Sequence, residues 1–227
     1  MTSYRSKVAS VLVLLTTCVG QDNGSIDPVW AFSYIGTALN KAQASGSLSY
    51  WGYCDSNGGP ADFPKLRIPR NKEASPLQTL REMFADDSKM RVTQEPGGTI
   101  RMAETDVPRD LLDLKISHLS FITKPPDGIK NPIQALWVIL RAPEVKTFMT
   151  AQNIGPALPD FFFASFPIYR DSHISGELED VSVEQALDYV LQTYPGFWAY
   201  ENCAGEKGGR TVHFNFFPSV PAGIVRH

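Results

Sequence analysis

Ser182-Val183-Glu184-Gln185-Ala186-Leu187-Asp188-Tyr189-Val190-Leu191-Gln192-Thr193-Tyr194-Pro195-Gly196 is the stretch whose reading decides the fold. A Ser followed three residues later by Gln is a capping box, in which each side chain accepts the other residue's backbone N–H. Val183, Ala186, Leu187, Val190 and Leu191 recur at helical spacing. One face of that helix is therefore apolar and must be covered. Pro195-Gly196 stops it. Phe197 to Asn202 reads as a strand rich in aromatics, Gly205 to Gly209 as a turn, and Thr211 to Phe217 as a return strand. On that strand Val212, Phe214 and Phe216 share one face.

The same order occurs 107 residues earlier. Ser75-Pro76-Leu77-Gln78 repeats the cap, with Pro at the first helical position, where its missing N–H does no harm. Leu80, Met83 and Phe84 match Leu187, Val190 and Leu191, and Asp86-Asp87-Ser88 ends the helix. Met90 and Val92 alternate in register with Phe197 and Ala199. Glu95-Pro96-Gly97-Gly98 is a turn, and Thr99 to Glu104 returns. A third, partial copy begins at Asp27-Pro28. Its helix runs to about Ala44, with Trp30, Tyr34, Ile35, Ala38, Leu39 and Ala42 as the buried face, and Ser47 to Cys54 follows as a strand. The expected class is α+β: two related helix–strand–strand units, with helices packed on small antiparallel sheets.

The run from Ile174 to Leu191 resembles the secretin and TonB N-terminal short domain. The likeness rests on Val181-Ser182-Val183-Glu184-Gln185-Ala186-Leu187 and Val190-Leu191, with Phe197 and Tyr200 near that family's next strand. It covers about 45 residues at the C-terminal end and extends more weakly to Ser75–Glu104. The resemblance implies a periplasmic α+β module that docks other envelope proteins and has no catalytic residues of its own.

Between the two units the pattern changes. Val107 to Asp113 reads as a short helix, and Leu114 to Thr123 as a strand. Lys124-Pro125-Pro126-Asp127-Gly128 reads as a loop. Ile133 to Leu140 and Pro143 to Ala151 read as two helices, and Ile174 to Leu178 as a strand. A boundary near Lys124 to Asn131 divides a first lobe, residues 21–125, from a second, residues 126–227. Phe161, Phe162, Phe163, Phe166 and Tyr169 crowd one irregular stretch. They form a candidate binding surface, since an exposed aromatic patch marks a partner site, or else a plug between the lobes.

Residues 1–20 read as a signal peptide: Arg5 and Lys7 without an acid, an apolar block from Val8 to Leu15, then small residues. The block is shorter than the roughly 20 residues a membrane span needs. Cleavage after Gly20 would release Gln21. Alternatively, Leu15-Thr16-Thr17-Cys18 resembles a lipoprotein box, with Cys18 as the candidate lipidation site. The address is secreted or periplasmic, with an outer-membrane lipoprotein as the variant.

Of 227 residues, 43% are hydrophobic and 20% charged, as in an ordinary globular protein. Net charge is -3 with the signs interspersed, so no basic stripe offers itself to nucleic acid. The expected partner is another envelope protein. Cys54 and Cys203 remain once Cys18 is removed or lipidated. An even pair in an oxidising compartment suggests one disulfide.

No catalytic signature stands out: there is no G-x-S-x-G, no H-E-x-x-H and no phosphate-cradling glycine loop. No metal spacing or cofactor motif emerges from Cys54, Cys203, His118, His173, His213 and His227. His118 and His213 alternate with apolar neighbours and read as solvent-facing. Glu104, Asp106, Asp110 and Asp113 cluster. With His118 they support an alternative reading, a secreted hydrolase with an acid/base pair. A solvated helix start, where acids suit the dipole, is the plainer reading.

Overall fold

The computed structural model describes residues 28–52, 63–69, 74–124, 127–157, 173–204 and 209–218. Residues 1–20 with Cys18, Cys54, the Phe161–Tyr169 stretch and His227 lie outside the described residues. The elements in chain order are α1 (Pro28–Lys41), β1 (Gly46–Gly52), α2 (Pro76–Met83), β2 (Met90–Gln94), β3 (Ile100–Glu104), β4 (Lys115–Ser120), β5 (Ile122–Lys124) and β6 (Asp127–Gly128). There follow α3 (Pro132–Leu140), α4 (Pro143–Ala151), β7 (Ile154–Ala157), β8 (Glu177–Ser182), α5 (Val183–Thr193), β9 (Gly196–Ala204) and β10 (Arg210–Pro218). The class is α+β.

Both capping boxes form as the sequence dictates. Gln78 N donates to Ser75 Oγ and Ser75 N to Gln78 Oε1; Gln185 N donates to Ser182 Oγ and Ser182 N to Gln185 Oε1. Leu80 and Leu187 are both fully buried. Each helix leads into an antiparallel hairpin, β2–β3 and β9–β10.

The hairpins share one mixed sheet, in the order β2-β3-β1-β9-β10-β7. β1 joins them, pairing in parallel with β3 on one side and with β9 on the other. The sheet thus crosses the expected boundary between lobes. Gly46 makes the first rung possible, because a Cβ there would meet Ile100 O at 2.8 Å.

Helices cover both faces. α1 and α2 pack on Leu48, Tyr50, Ile100, Met102, Phe197 and Ala199. α3, α4 and α5 pack on Trp198, Tyr200, Val212, Phe214 and Phe216, together with the β4–β8 ribbon. The two units therefore use opposite faces. Since β2 runs against β3 while β3, β1 and β9 run together, a half-turn about an axis across the strands, with a shift of three strand positions along it, carries one unit onto the other. The expected strand register slips by one residue. Met90 and Val92 lie on the side of their own helix, whereas in the second unit the residues under α5 are Trp198 and Tyr200, not Phe197 and Ala199.

Three local expectations are corrected. Tyr34 is 39% exposed, because α2 leaves an open groove beside that part of α1. Residues 107–113 form turns rather than a helix. Val107, Leu111 and Leu112 are instead buried as anchors in the α3–α5 core. His213 is half-buried, because α1 covers the face that a one-sided sheet would have left to water.

Candidate functional site

The carboxylates and the histidine singled out in the sequence each have a partner of their own. Glu104 ends β3 and accepts the Trp51 N–H at 2.5 Å. Burial raises its carboxyl above the ordinary value, outweighing that hydrogen bond. Asp106 pairs with Lys89 at 2.9 Å on the surface, and that ammonium lowers its carboxyl. Asp110 receives both terminal nitrogens of Arg210 at 2.9 Å. Asp113 takes Arg109 Nη2 at 3.0 Å. His118 is exposed on β4, with Nδ1 2.7 Å from Glu179 Oε1, and that carboxylate raises its imidazole. His173 is exposed before β8. Among the described residues no group of three or more His, Cys, Asp and Glu is placed to hold a metal ion.

A different row of ionisable side chains crosses the sheet at the carboxyl ends of β3, β1 and β9. Tyr50 pairs with Glu201 across β1 and β9, and Glu201 with His213 across β9 and β10. Glu104 stands one rung past the Ser49–Ala103 pair, beside Tyr50. Tyr50 donates its hydroxyl to Glu201 Oε2 at 3.1 Å. Burial raises Glu201, with only that hydroxyl acting against it, and burial raises Tyr50 well above the ordinary phenol value. A Cβ on Gly52 would collide with the Glu201 carboxylate, so Gly52 makes room for the row. These groups sit where low dielectric disfavours charge.

On the opposite face, Arg101 reaches from β3 to α5. Its guanidinium grips Asp188 through Nη1 and Nη2, with Nη1 2.8 Å from Oδ1, and also donates to Ser47 Oγ at 3.2 Å. Trp198 Nε1 donates to the same Asp188 Oδ1 at 3.0 Å, and the Arg101 guanidinium carbon lies 5.8 Å from the Trp198 ring centre. Bidentate pairing and stacking are what a planar guanidinium does best. Arg109 continues the network to Glu184 Oε2 at 2.7 Å.

This network floors a polar cleft of about 460 Å³ between the β2–β3 turn, the end of α1 and the last turns of α5. A second depression, about 430 Å³, lies between α1 and α2. Ala38, Ile68, Pro69, Pro76 and Met83 make it apolar, and Tyr34 and Ile68 stand exposed beside it.

Arg101 and Asp188 escaped the sequence reading, as did Glu201 and Tyr50. The one available signal was Glu184 and Asp188, four residues apart on the polar side of α5. Nothing local pairs them with an arginine 87 residues away. Comparison with known proteins finds no match to a family model, to a curated protein or to a solved structure.

Proposed function

We propose that this chain is a secreted or periplasmic, non-catalytic binding protein that docks another protein of the bacterial cell envelope. The observation that carries the reading is the apolar groove between α1 and α2, left open on a molecule whose sheet edges are blocked. At the β2 edge, Arg81 Nε donates to Val92 O at 3.2 Å and Arg91 Nη1 to Met90 O at 3.0 Å. At the other edge, β7 carries Pro156, which has no N–H to offer. Blocked edges discourage strand addition. An apolar groove with an exposed Ile and Tyr favours side-chain insertion by a partner.

Kinship with the secretin and TonB short domain is part of the proposal, supported by the order β8, α5, β9, β10. So are an export leader over residues 1–20, with Cys18 as the lipid site if the leader is of lipoprotein type, and a Cys54–Cys203 disulfide. The parallel register supports the last, because Gly52 stands opposite Cys203 and Cys54 follows two residues later. No helix among the described residues is long and apolar enough to cross a membrane.

The test is capture of a partner from envelope extract by the protein and by Ile68→Glu. Ile68 is 58% exposed, so the substitution leaves the melting temperature unchanged. A specific partner that Ile68→Glu loses supports docking at the groove. No specific partner, or one captured equally by both proteins, removes this reading.

A further inference from the structure

We infer that the polar cleft beside Arg101 binds a basic side chain, of lysine or arginine, together with its flanking peptide bonds. The floor of the cleft is already committed. Asp188 is occupied by the Arg101 guanidinium and by Trp198 Nε1, and Arg101 keeps only 14% of its side-chain surface exposed. The cleft therefore does not present a free guanidinium to an anion.

The charge around this floor is unbalanced. Of the charged groups that line the cleft, the one cation, Arg101, faces two acids, Glu95 and Asp188. The excess is negative, and its accessible member is Glu95. That carboxylate is 49% exposed and lies 3.6 Å from Arg101 Nε, beyond hydrogen-bonding reach. Its ion pair with Arg101 holds Glu95 over the cleft, and its half-exposed carboxylate makes no hydrogen bond to that guanidinium. An incoming anion would meet Glu95 first; an incoming cation would pair with it.

The rim supplies neutral hydrogen-bonding groups. Gln43 and Gln192 bring side-chain amides, and Ser45 and Thr99 bring hydroxyls. Gln43 is held at φ 51° as the left-handed residue that closes α1, where Gln43 N donates to Asn40 O at 3.0 Å and Ala44 N to Leu39 O at 3.1 Å. Amides and hydroxyls in a ring match the donors and acceptors of a peptide chain. A volume of about 460 Å³ falls in the usual range of ligand pockets. Leu191 gives the apolar wall that the methylene stem of a lysine or arginine packs on.

This inference rests on the docking reading only in taking the ligand to be part of a polypeptide. The test is a titration of the 15N-labelled protein with N-acetyl-arginine N-methylamide, with the glutamate and norleucine compounds as controls. The arginine compound is expected to give saturable shifts at the Gly97 and Gly98 amides and at the Gln43 and Gln192 side-chain amides. Glu95→Gln is expected to weaken this binding about threefold, the size of one exposed charge pair. Equal response to the glutamate or norleucine compound, no saturable shift with any, or no effect of Glu95→Gln overturns the inference. Arginine binding that survives beside a failed partner capture would sink the docking reading alone; the reverse result would sink this one alone.

Discussion

Glu201 sits where a carboxylate is poorly solvated, and its titration follows from that. Burial raises its carboxyl above the ordinary value of 4.5, and the same holds for Glu104 across Tyr50. A carboxyl raised on folding favours the protonated state. Its contribution to stability is fully present below the unfolded value and is lost as pH rises through the folded one. The melting temperature is therefore expected to fall between about pH 4.5 and neutrality by more in the wild type than in Glu201→Gln. Gln keeps an acceptor for the Tyr50 hydroxyl and carries no charge. Parallel curves for the two proteins would show that this carboxyl is not the cause. Asp188 makes the opposite kind of prediction. With side-chain exposures of 14% for Arg101 and 24% for Asp188, the pair is mostly withdrawn from water. Removing one partner of such a pair leaves an uncompensated charge, and Asp188→Ala is expected to cost about 2–3 kcal/mol by denaturant titration. A loss under about 1 kcal/mol would mean that solvent screens the pair as at an open surface.

At the scale of elements, the helix starts were written plainly in the chain. Ser75-x-x-Gln78 and Ser182-x-x-Gln185 fold into reciprocal caps because every bond they need lies within three residues. Ser75→Ala and Ser182→Ala are each expected to cost about 1 kcal/mol. Leu80→Ala and Leu187→Ala each empty a fully buried site and are expected to cost about 2–5 kcal/mol. A small loss at either leucine would show that its helix does not pack as described. The edge of β2 was not legible. Arg81 comes from α2, and only the tertiary approach of that helix puts its guanidinium on the Val92 carbonyl. The double variant Arg81→Ala, Arg91→Ala frees two edge carbonyls and is expected to self-associate more than the wild type in sedimentation velocity. Residues 107–113 failed as a predicted helix because three apolar side chains at nearly helical spacing are equally served by turns. The core into which they point chose the turns.

At the scale of the whole molecule, one six-stranded sheet is shared by the two units, and that sharing sets what a Cys54–Cys203 bond would join. The register that pairs Gly52 with Cys203 makes a Cys54–Cys203 bond a link between the first unit and the last. It would close a loop of about 150 residues, worth about 4–5 kcal/mol on loop-entropy estimates. Thiol titration of the unfolded, unreduced protein is expected to find neither Cys54 nor Cys203 free. Two free thiols would remove the link. The same shared sheet explains the misjudged His213. A strand of a one-sided sheet shows alternate residues to water, whereas Phe197-Trp198-Ala199-Tyr200 is apolar without alternation. Such a run marks a strand covered on both faces, a signal present in the sequence.

By itself the sequence determined the two capped helices, the hairpins behind them and the α+β class. Capping and periodicity act between residues a few positions apart, and no distant partner can easily override them. The tertiary structure alone decided that the hairpins meet through β1, that their helices lie on opposite faces, and that Arg101 finds Asp188. Those choices join segments tens of residues apart. They are settled by which apolar faces can be covered at once and by which buried charges can be neutralised, and no local stretch of chain carries that information.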